Sequence, residues 1–520
     1  MARWLNIQGT PCHPQGVGAM REHSLVTLVK NPVFSVSAAV IGVLSLLGIL
    51  LPGPFAATAD RLYRLVSINF DWLYLLAVFG FVVFLVGLAL SPWGRVRLGQ
   101  PDDRPEFGFF AWIGMLFSAG FGIGLVFWGV AEPLSHFVLP PLGGAEPQTE
   151  AAGRLAMGYA FFHWGVSQWA IFGLVGLVIA YFEFHRREDG RISTALHPLT
   201  GHGPRLRDSV DILAIIATVL GMATSLGMGV LQTNGGLHTL FGVPNTPYVH
   251  LLIVVTLAVV YLGFTLTRLG TGIQYLSILN LSLVLGLLLA VFLLGPTLYI
   301  VKTFFLGLWD YAHHFLTYSL RLGPGEGDGW TRQWTLFYWA WIIAWSPFVG
   351  AFVARVSRGR TIREYVAAVL TVPPMIACFW FAVFGGTALY RDLEQNAGLA
   401  GSVSDDVSAS LFQLLETLPL GTLLSWVALL LVVTFLITSA AAASYILGSM
   451  SSGGRLSPPT PVRVVWTFLV SAIAAALLFA GGLGALQTAS LVAAVPFSII
   501  MVLMGVALIQ ALRSDSTPPN

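Results

Sequence analysis

A chain of 520 residues that is 56% hydrophobic and only 10% charged, with a mean hydropathy of +0.79, is no ordinary soluble globule, whose charged share is about 25%. Its net charge of +2 gives no basic patch for nucleic acid. Two cysteines, Cys12 near the start and Cys378 inside an apolar segment, are too few and too badly placed for a disulfide framework or a thiolate metal site.

What remains is an all-α membrane protein. A helix needs about 20 apolar residues to cross the hydrocarbon core. Such segments lie near residues 33–52, 70–91, 107–130, 158–183, 209–232, 247–266, 272–297, 334–356, 364–390, 420–448, 462–482 and 486–512, which makes twelve transmembrane helices. The start of the chain lacks the basic run and short apolar core of a cleavable signal, so the first segment is expected to stay as an anchor. An even number of spans puts both termini on one side. That side collects most of the 26 Lys and Arg, so the positive-inside rule makes both termini cytoplasmic. The expected organisation is a cytoplasmic tail over 1–32, two helices with a cytoplasmic loop over 33–106 and a five-helix unit over 107–304. An outer amphipathic helix and loop over 305–333, a second five-helix unit over 334–512 and a short tail over 513–520 follow. So short a tail carries no basic regulatory helix, and activity is expected to follow substrate and ion gradients.

In the third span Gly120, Phe121, Gly122, Ile123 and Gly124 fall at mid-depth, where glycine loosens the backbone and admits close neighbours. Tight helix packing and a substrate-facing break both explain them. Between spans seven and eight, Thr297 to Leu320 mixes aromatics with Lys302 and Asp310. It reads as an amphipathic helix at the outer interface; a thirteenth span would bury both charges. In the eighth span, FYWAWIIAWSPFVG (Phe337 to Gly350) places three tryptophans and Pro347 in mid-membrane. An indole face attracts a cation by roughly 0.5–2 kcal/mol, and Pro347 removes a backbone donor, so this span is expected to be broken and to face a solute. Two interrupted helices five spans apart suggest two five-helix repeats of opposite orientation, with a site where the broken helices meet. Glu132 and Glu183 lie at span ends, and the nearest titratable group at depth is His163. A proton relay would want carboxylates there, whereas sodium needs only hydroxyl and carbonyl oxygens.

Three strings, MLFSAGFGIGLVFWGVAEPLSHF (Met115 to Phe137), FYWAWIIAWSPFVGAFVARVSRGRTIREYV (Phe337 to Val366) and FLITS (Phe435 to Ser439), closely resemble the betaine/carnitine/choline transporter family, and the likeness runs from about Asn31 to Leu512. The resemblance implies an integral protein of the bacterial inner membrane with a leucine-transporter-type 5+5 inverted repeat in spans three to twelve, homotrimers, and no enzymatic activity. It implies secondary active uptake of a cationic or zwitterionic solute such as glycine betaine, choline, carnitine or a sulfonium analogue. It maps an aromatic box onto Trp164, Trp169, Phe172, Trp341, Ile342 and Trp345, beside Gly120, Phe121, Gly122 and Gly124. The family usually has Tyr at 172 and Trp at 342. No organic cofactor is implied. Na+ is the expected coupling ion, with one site at Ser118, Phe121, Phe435, Thr438 and Ser439. A second, weak or absent, falls at Thr218 and Phe348, because the family's other threonine is Met222 here. After Ser439, Ala440 to Ala443 replace a stretch that in relatives contains Asp and Ser. Counted at about 100° per residue, Trp164, Phe172 and Trp169 share one face of span four, and Trp341 and Trp345 form an i, i+4 pair. The alternatives are a sodium-independent exchanger of the same family, a solute receptor and a membrane-embedded enzyme.

Overall fold

The computed structural model describes residues 31–120, 122–201, 203–266, 270–321, 329–455 and 457–516, and every regular element among them is helical. Eleven helices among the described residues are long and apolar enough to cross a membrane. In chain order the main helices are α1 (Pro32–Leu50), α2 (Pro52–Asn69), α3 (Asp71–Leu90), α4 (Phe109–Gly120), α5 (Ile123–Val138), α6 (Glu150–Trp164) and α7 (Val166–Ala180). They continue with α8 (Pro204–Phe241), α9 (Pro247–Leu266), α10 (Gly270–Leu294), α11 (Thr297–Ser319), α12 (Phe337–Val356), α13 (Ile362–Gln395), α14 (Gly421–Ser451) and α15 (Thr460–Ser516). At 1.5 Å per residue, α15 run straight would be far longer than the hydrocarbon core, about 30 Å thick. It leaves helical geometry at Gly481 and at Gly482, where φ is 57°, a region that favours glycine. The boundary expected between spans eleven and twelve falls on this break.

The third span is interrupted as its glycines suggest. α4 ends at Gly120 and α5 begins at Ile123, with Gly122 extended between them at φ −135° and ψ 177°. The eighth span is not interrupted, which corrects the expectation of a broken helix. α12 runs unbroken through Pro347, because the Ser346 hydroxyl donates to the Ile343 carbonyl at 2.8 Å, the oxygen that the proline deprives of its partner. The fourth span breaks instead. At Gly165 the backbone turns to φ −88° and ψ −140°, and the Val166 N–H donates to the Tyr311 hydroxyl at 2.9 Å. Counting 100° per residue across that break does not hold, so the single face expected for Trp164, Phe172 and Trp169 is also corrected.

α11 occupies the segment expected as an outer amphipathic helix and is not among the apolar spanning helices. Its nearly buried Asp310 takes Arg154 of α6 through Nε at 2.5 Å and Nη2 at 2.7 Å. The arginines in and after the last turn of α12 fold back on their own chain. Arg355 grips Glu106 at 2.6 and 3.1 Å, Arg360 donates to the Phe107 carbonyl at 2.8 Å over the Trp112 ring, and Arg363 donates to the Ala89 carbonyl at 2.8 Å. α12 packs along α7, α8 and α15, while α5 packs on α6 and α13.

Candidate functional site

Residues 337, 341, 345 and 348 are spaced by four, four and three, so α12 presents them on one face. Their rings form a parallel column. Phe337 and Trp341 are 6.0 Å apart at 4°, Trp341 and Trp345 6.2 Å at 7°, and Trp345 and Phe348 5.9 Å at 10°. Other rings meet the column edge-on. Trp164 approaches Trp341 at 6.1 Å, Phe172 approaches Trp345 at 5.8 Å, and Trp169 stands 5.6 Å from Phe172. Trp164, Trp169, Phe172 and Trp341 are enclosed, whereas Trp345 is only half-buried and keeps part of its surface open. Ile342 is buried beside Trp341, turned about 100° round the helix, and adds no ring.

The loosened third span lies against this wall. A Cβ on Gly124 would come within 2.1 Å of Trp341 Cη2, and one on Gly122 within 3.3 Å of Trp345 Cη2. The glycines therefore serve both explanations at once, since the close approach they permit is that of the indoles. Phe121 lies outside the described residues, and for Ser118 and Gly120 only the helical backbone of α4 is described.

Of the first expected ion set, Thr438 and Phe435 are neighbours on one turn of α14, and the threonine bonds back to its own helix. Thr438 Oγ1 donates to the Thr434 carbonyl at 3.0 Å and lies 3.1 Å from the Phe435 carbonyl, so two hard oxygens of the first set adjoin each other, with Ser439 half-buried next along α14. The Asn280 amide donates to the same Thr438 hydroxyl at 3.1 Å. At the second set, the Thr218 hydroxyl bonds back to the Ala214 carbonyl at 2.7 Å, Phe348 belongs to the ring column, and the Met222 sulfur accepts the Trp345 indole N–H.

Glu132 is the residue that the sequence reading placed wrongly. It is not a group at a span end but is completely buried. Its carboxylate accepts the Trp164 N–H at 2.7 Å and the Tyr338 hydroxyl at 2.6 Å, and lies 2.7 Å from His163 Nδ1. His136, also fully buried, stands 3.4 Å from it. The spacing Glu132, His136 (i, i+4) was the one signal in the sequence for a shared helix face.

Beyond the wall the two ends differ. On the side expected to be outer, His136 packs on Trp330 and Trp334 at 4.9 and 4.4 Å, and Tyr159 stacks on Tyr318 at 4.0 Å. On the arginine-rich side a cavity of about 120 Å³ opens beside Pro347 and Ala351, lined also by Glu183, Arg191, Asp211 and Arg355. The rings thus lie between a packed end and an open one.

The sequence pattern described as BCCT, betaine/carnitine/choline family transporter, matches residues 32–517. An ectoine/hydroxyectoine transporter of Virgibacillus pantothenticus is 54% identical over 476 residues, 92% of this chain and 95% of the relative. The glycine betaine transporter OpuD of Bacillus subtilis (strain 168) is 42% identical over 490 residues, 93% and 95% of the two chains. A glycine betaine transporter 1 of Vibrio parahaemolyticus is 38% identical over 498 residues, 94% of each.

Proposed function

Because the chain belongs to the betaine/carnitine/choline transporter family, we propose that it carries a small zwitterionic osmolyte, ectoine foremost, into the cell with sodium as the coupled ion. It is an integral membrane transporter of osmolytes and not an enzyme. The observation that carries the substrate reading is the column Phe337, Trp341, Trp345, Phe348 with Trp345 half-open. A π face attracts a cation without a carboxylate having to touch it. Phe172 and Ile342 leave a flatter wall than four rings closed round a tetrahedral methylammonium. A planar amidinium such as ectoine's suits one broad face, and the relative that shares 54% identity is named for ectoine and hydroxyectoine.

In this reading the guest rests on the open side of Trp345, whose other neighbours include Gly122, and the cavity at Pro347 is its way to the cytoplasm. Rocking of helix bundles then opens the packed end while closing the other. Sodium is carried as a co-substrate on the Thr438, Ser439 and Phe435 oxygens. The inverted repeat, the cytoplasmic termini and a homotrimer in the inner membrane belong to the same proposal. Sodium-independent exchange is the second reading, favoured by the Asn280 N–H aimed at the Thr438 hydroxyl, a donor where a cation would want an acceptor.

Uptake of radiolabelled ectoine by proteoliposomes holding the full chain tests both. Accumulation driven by an inward sodium gradient is expected. Uptake that ignores sodium but needs internal ectoine establishes exchange, and equal signals with and without protein overturn the substrate.

A further inference from the structure

Outside the ring wall, Glu132 forms an enclosed ionisable cluster with His136 and His163, each fully buried. The two carboxylate oxygens of Glu132 have different partners. Oε2 accepts the Trp164 indole N–H at 2.7 Å and the Tyr338 hydroxyl at 2.6 Å. Oε1 lies 2.7 Å from His163 Nδ1, whose Nε2 is in turn 2.9 Å from Thr335 Oγ1. An indole N–H can only donate, so Oε2 is an acceptor whatever the protonation of its neighbours. Among the described residues no Arg or Lys pairs with Glu132; its only ion-pair partners are the two histidines, with His136 Nε2 at 3.4 Å. Both His136 ring nitrogens are buried without a hydrogen-bond partner. A carboxylate in so dry a place is expensive unless a positive charge comes near it, and among the described residues only the two histidines stand close enough to offer one.

A further positive charge, that of a solute, has a place to arrive nearby. Trp164, held by Glu132, stands edge-on to Trp341 at 6.1 Å, so one indole separates the carboxylate from the ring column. Held by an anion at its N–H, that indole presents a more electron-rich face. The surrounding low dielectric also leaves the charge of Glu132 poorly screened.

We propose that Glu132 is a positioning residue for the solute site, fixing Trp164 and Tyr338 and supplying the counter-charge by which the site prefers a cationic head to a neutral one. This rests on the cation-accepting reading of the wall. Glu132 does not touch the guest; it acts through the Trp164 ring.

The test uses the full chain in proteoliposomes, with radiolabelled ectoine uptake challenged by the planar cation acetamidinium or by acetamide, its neutral counterpart of nearly the same shape. The wild type is expected to be inhibited by acetamidinium at concentrations about tenfold lower than by acetamide. In Glu132→Gln, which keeps the size and an acceptor but no charge, that ratio should fall towards unity, with the ectoine KM raised about tenfold and kcat little changed. Glu132→Asp should keep the preference. A residue that merely supported the fold would weaken both competitors alike, so an unchanged ratio in Glu132→Gln overturns the inference. If that variant does not fold, Trp164→Phe decides, since it retains a π face and deletes the N–H: a lowered ratio is expected and an unchanged one overturns the inference. A wild type that transports ectoine but is inhibited equally by both compounds, or by neither, sinks the cation reading and this inference with it, while the assignment as a transporter stands.

Discussion

Trp345 donates its indole N–H to the sulfur of Met222 at 2.6 Å, which ties the half-open ring of the wall to α8 at the position where the family pattern has threonine. Thr218 lies one turn before Met222, so a hydroxyl at 222 would join it on the same face. Met222→Thr is expected to make the sodium dependence of ectoine uptake steeper, by giving a second ion hard oxygens in place of a soft thioether. Met222→Leu should leave the steepness as it is and weaken ectoine binding, because Trp345 loses its acceptor. Uptake titrated with sodium at fixed ectoine distinguishes the two, and identical curves for wild type and Met222→Thr would refute the idea.

The two glycines of the broken span predict a graded series. Gly124→Ala drives a methyl to 2.1 Å from Trp341 Cη2, and that ring is clamped between Phe337 and Trp345. Overpacking of this kind costs about 1–3 kcal/mol, and ectoine transport should be lost. At Gly122 the new methyl would stand 3.3 Å from Trp345, whose half-open side leaves room to give, so Gly122→Ala should mainly raise KM. Thermal unfolding in detergent together with uptake checks the order; a milder defect at 124 than at 122 would contradict the geometry.

Much of this was legible in the sequence because it depends on spacing along one helix. The step from 341 to 345 pairs two indoles without any knowledge of neighbours, although Phe348, expected at an ion site, joins their column instead, and the glycines at 120, 122 and 124 mark a span that does break. What escaped depends on groups far away in the chain. The break at Gly165 needs the Tyr311 hydroxyl from α11. Glu132 looked like a span-end carboxylate because the donors that surround it come from α6 and α12. α12 looked broken because a proline signals a lost bond, and only coordinates show that the residue before it makes the bond good.

Arg154 and Asp310 predict how the outer helix is held. Their two short bonds join α6 to α11, but the arginine side chain is half-exposed, so the pair contributes only about 1 kcal/mol. Arg154→Ala should be the worse single change, since it leaves the nearly buried Asp310 without its cation; Asp310→Asn leaves an exposed arginine that water can solvate. The double variant should be no less stable than Arg154→Ala alone. Additive losses in a double-mutant cycle of detergent melting curves would show that the two do not act as a pair.

Ser346 and Pro347 give the sharpest case, since each side chain matters only because of the other. With Pro347 present, the Ile343 carbonyl has no N–H four residues on, and the Ser346 hydroxyl supplies the donor at 2.8 Å. Ser346→Ala therefore leaves a buried carbonyl unsatisfied in the middle of α12, at about 1–3 kcal/mol, and should let the helix bend where the ring column stands, weakening ectoine binding as well. Pro347→Ala restores the backbone donor and makes the hydroxyl redundant. Ser346→Ala should then be nearly neutral in the Pro347→Ala background. Melting temperatures of the four proteins, with ectoine KM for each, decide it: an equal penalty for Ser346→Ala in both backgrounds would mean that the hydroxyl does not stand in for the missing bond.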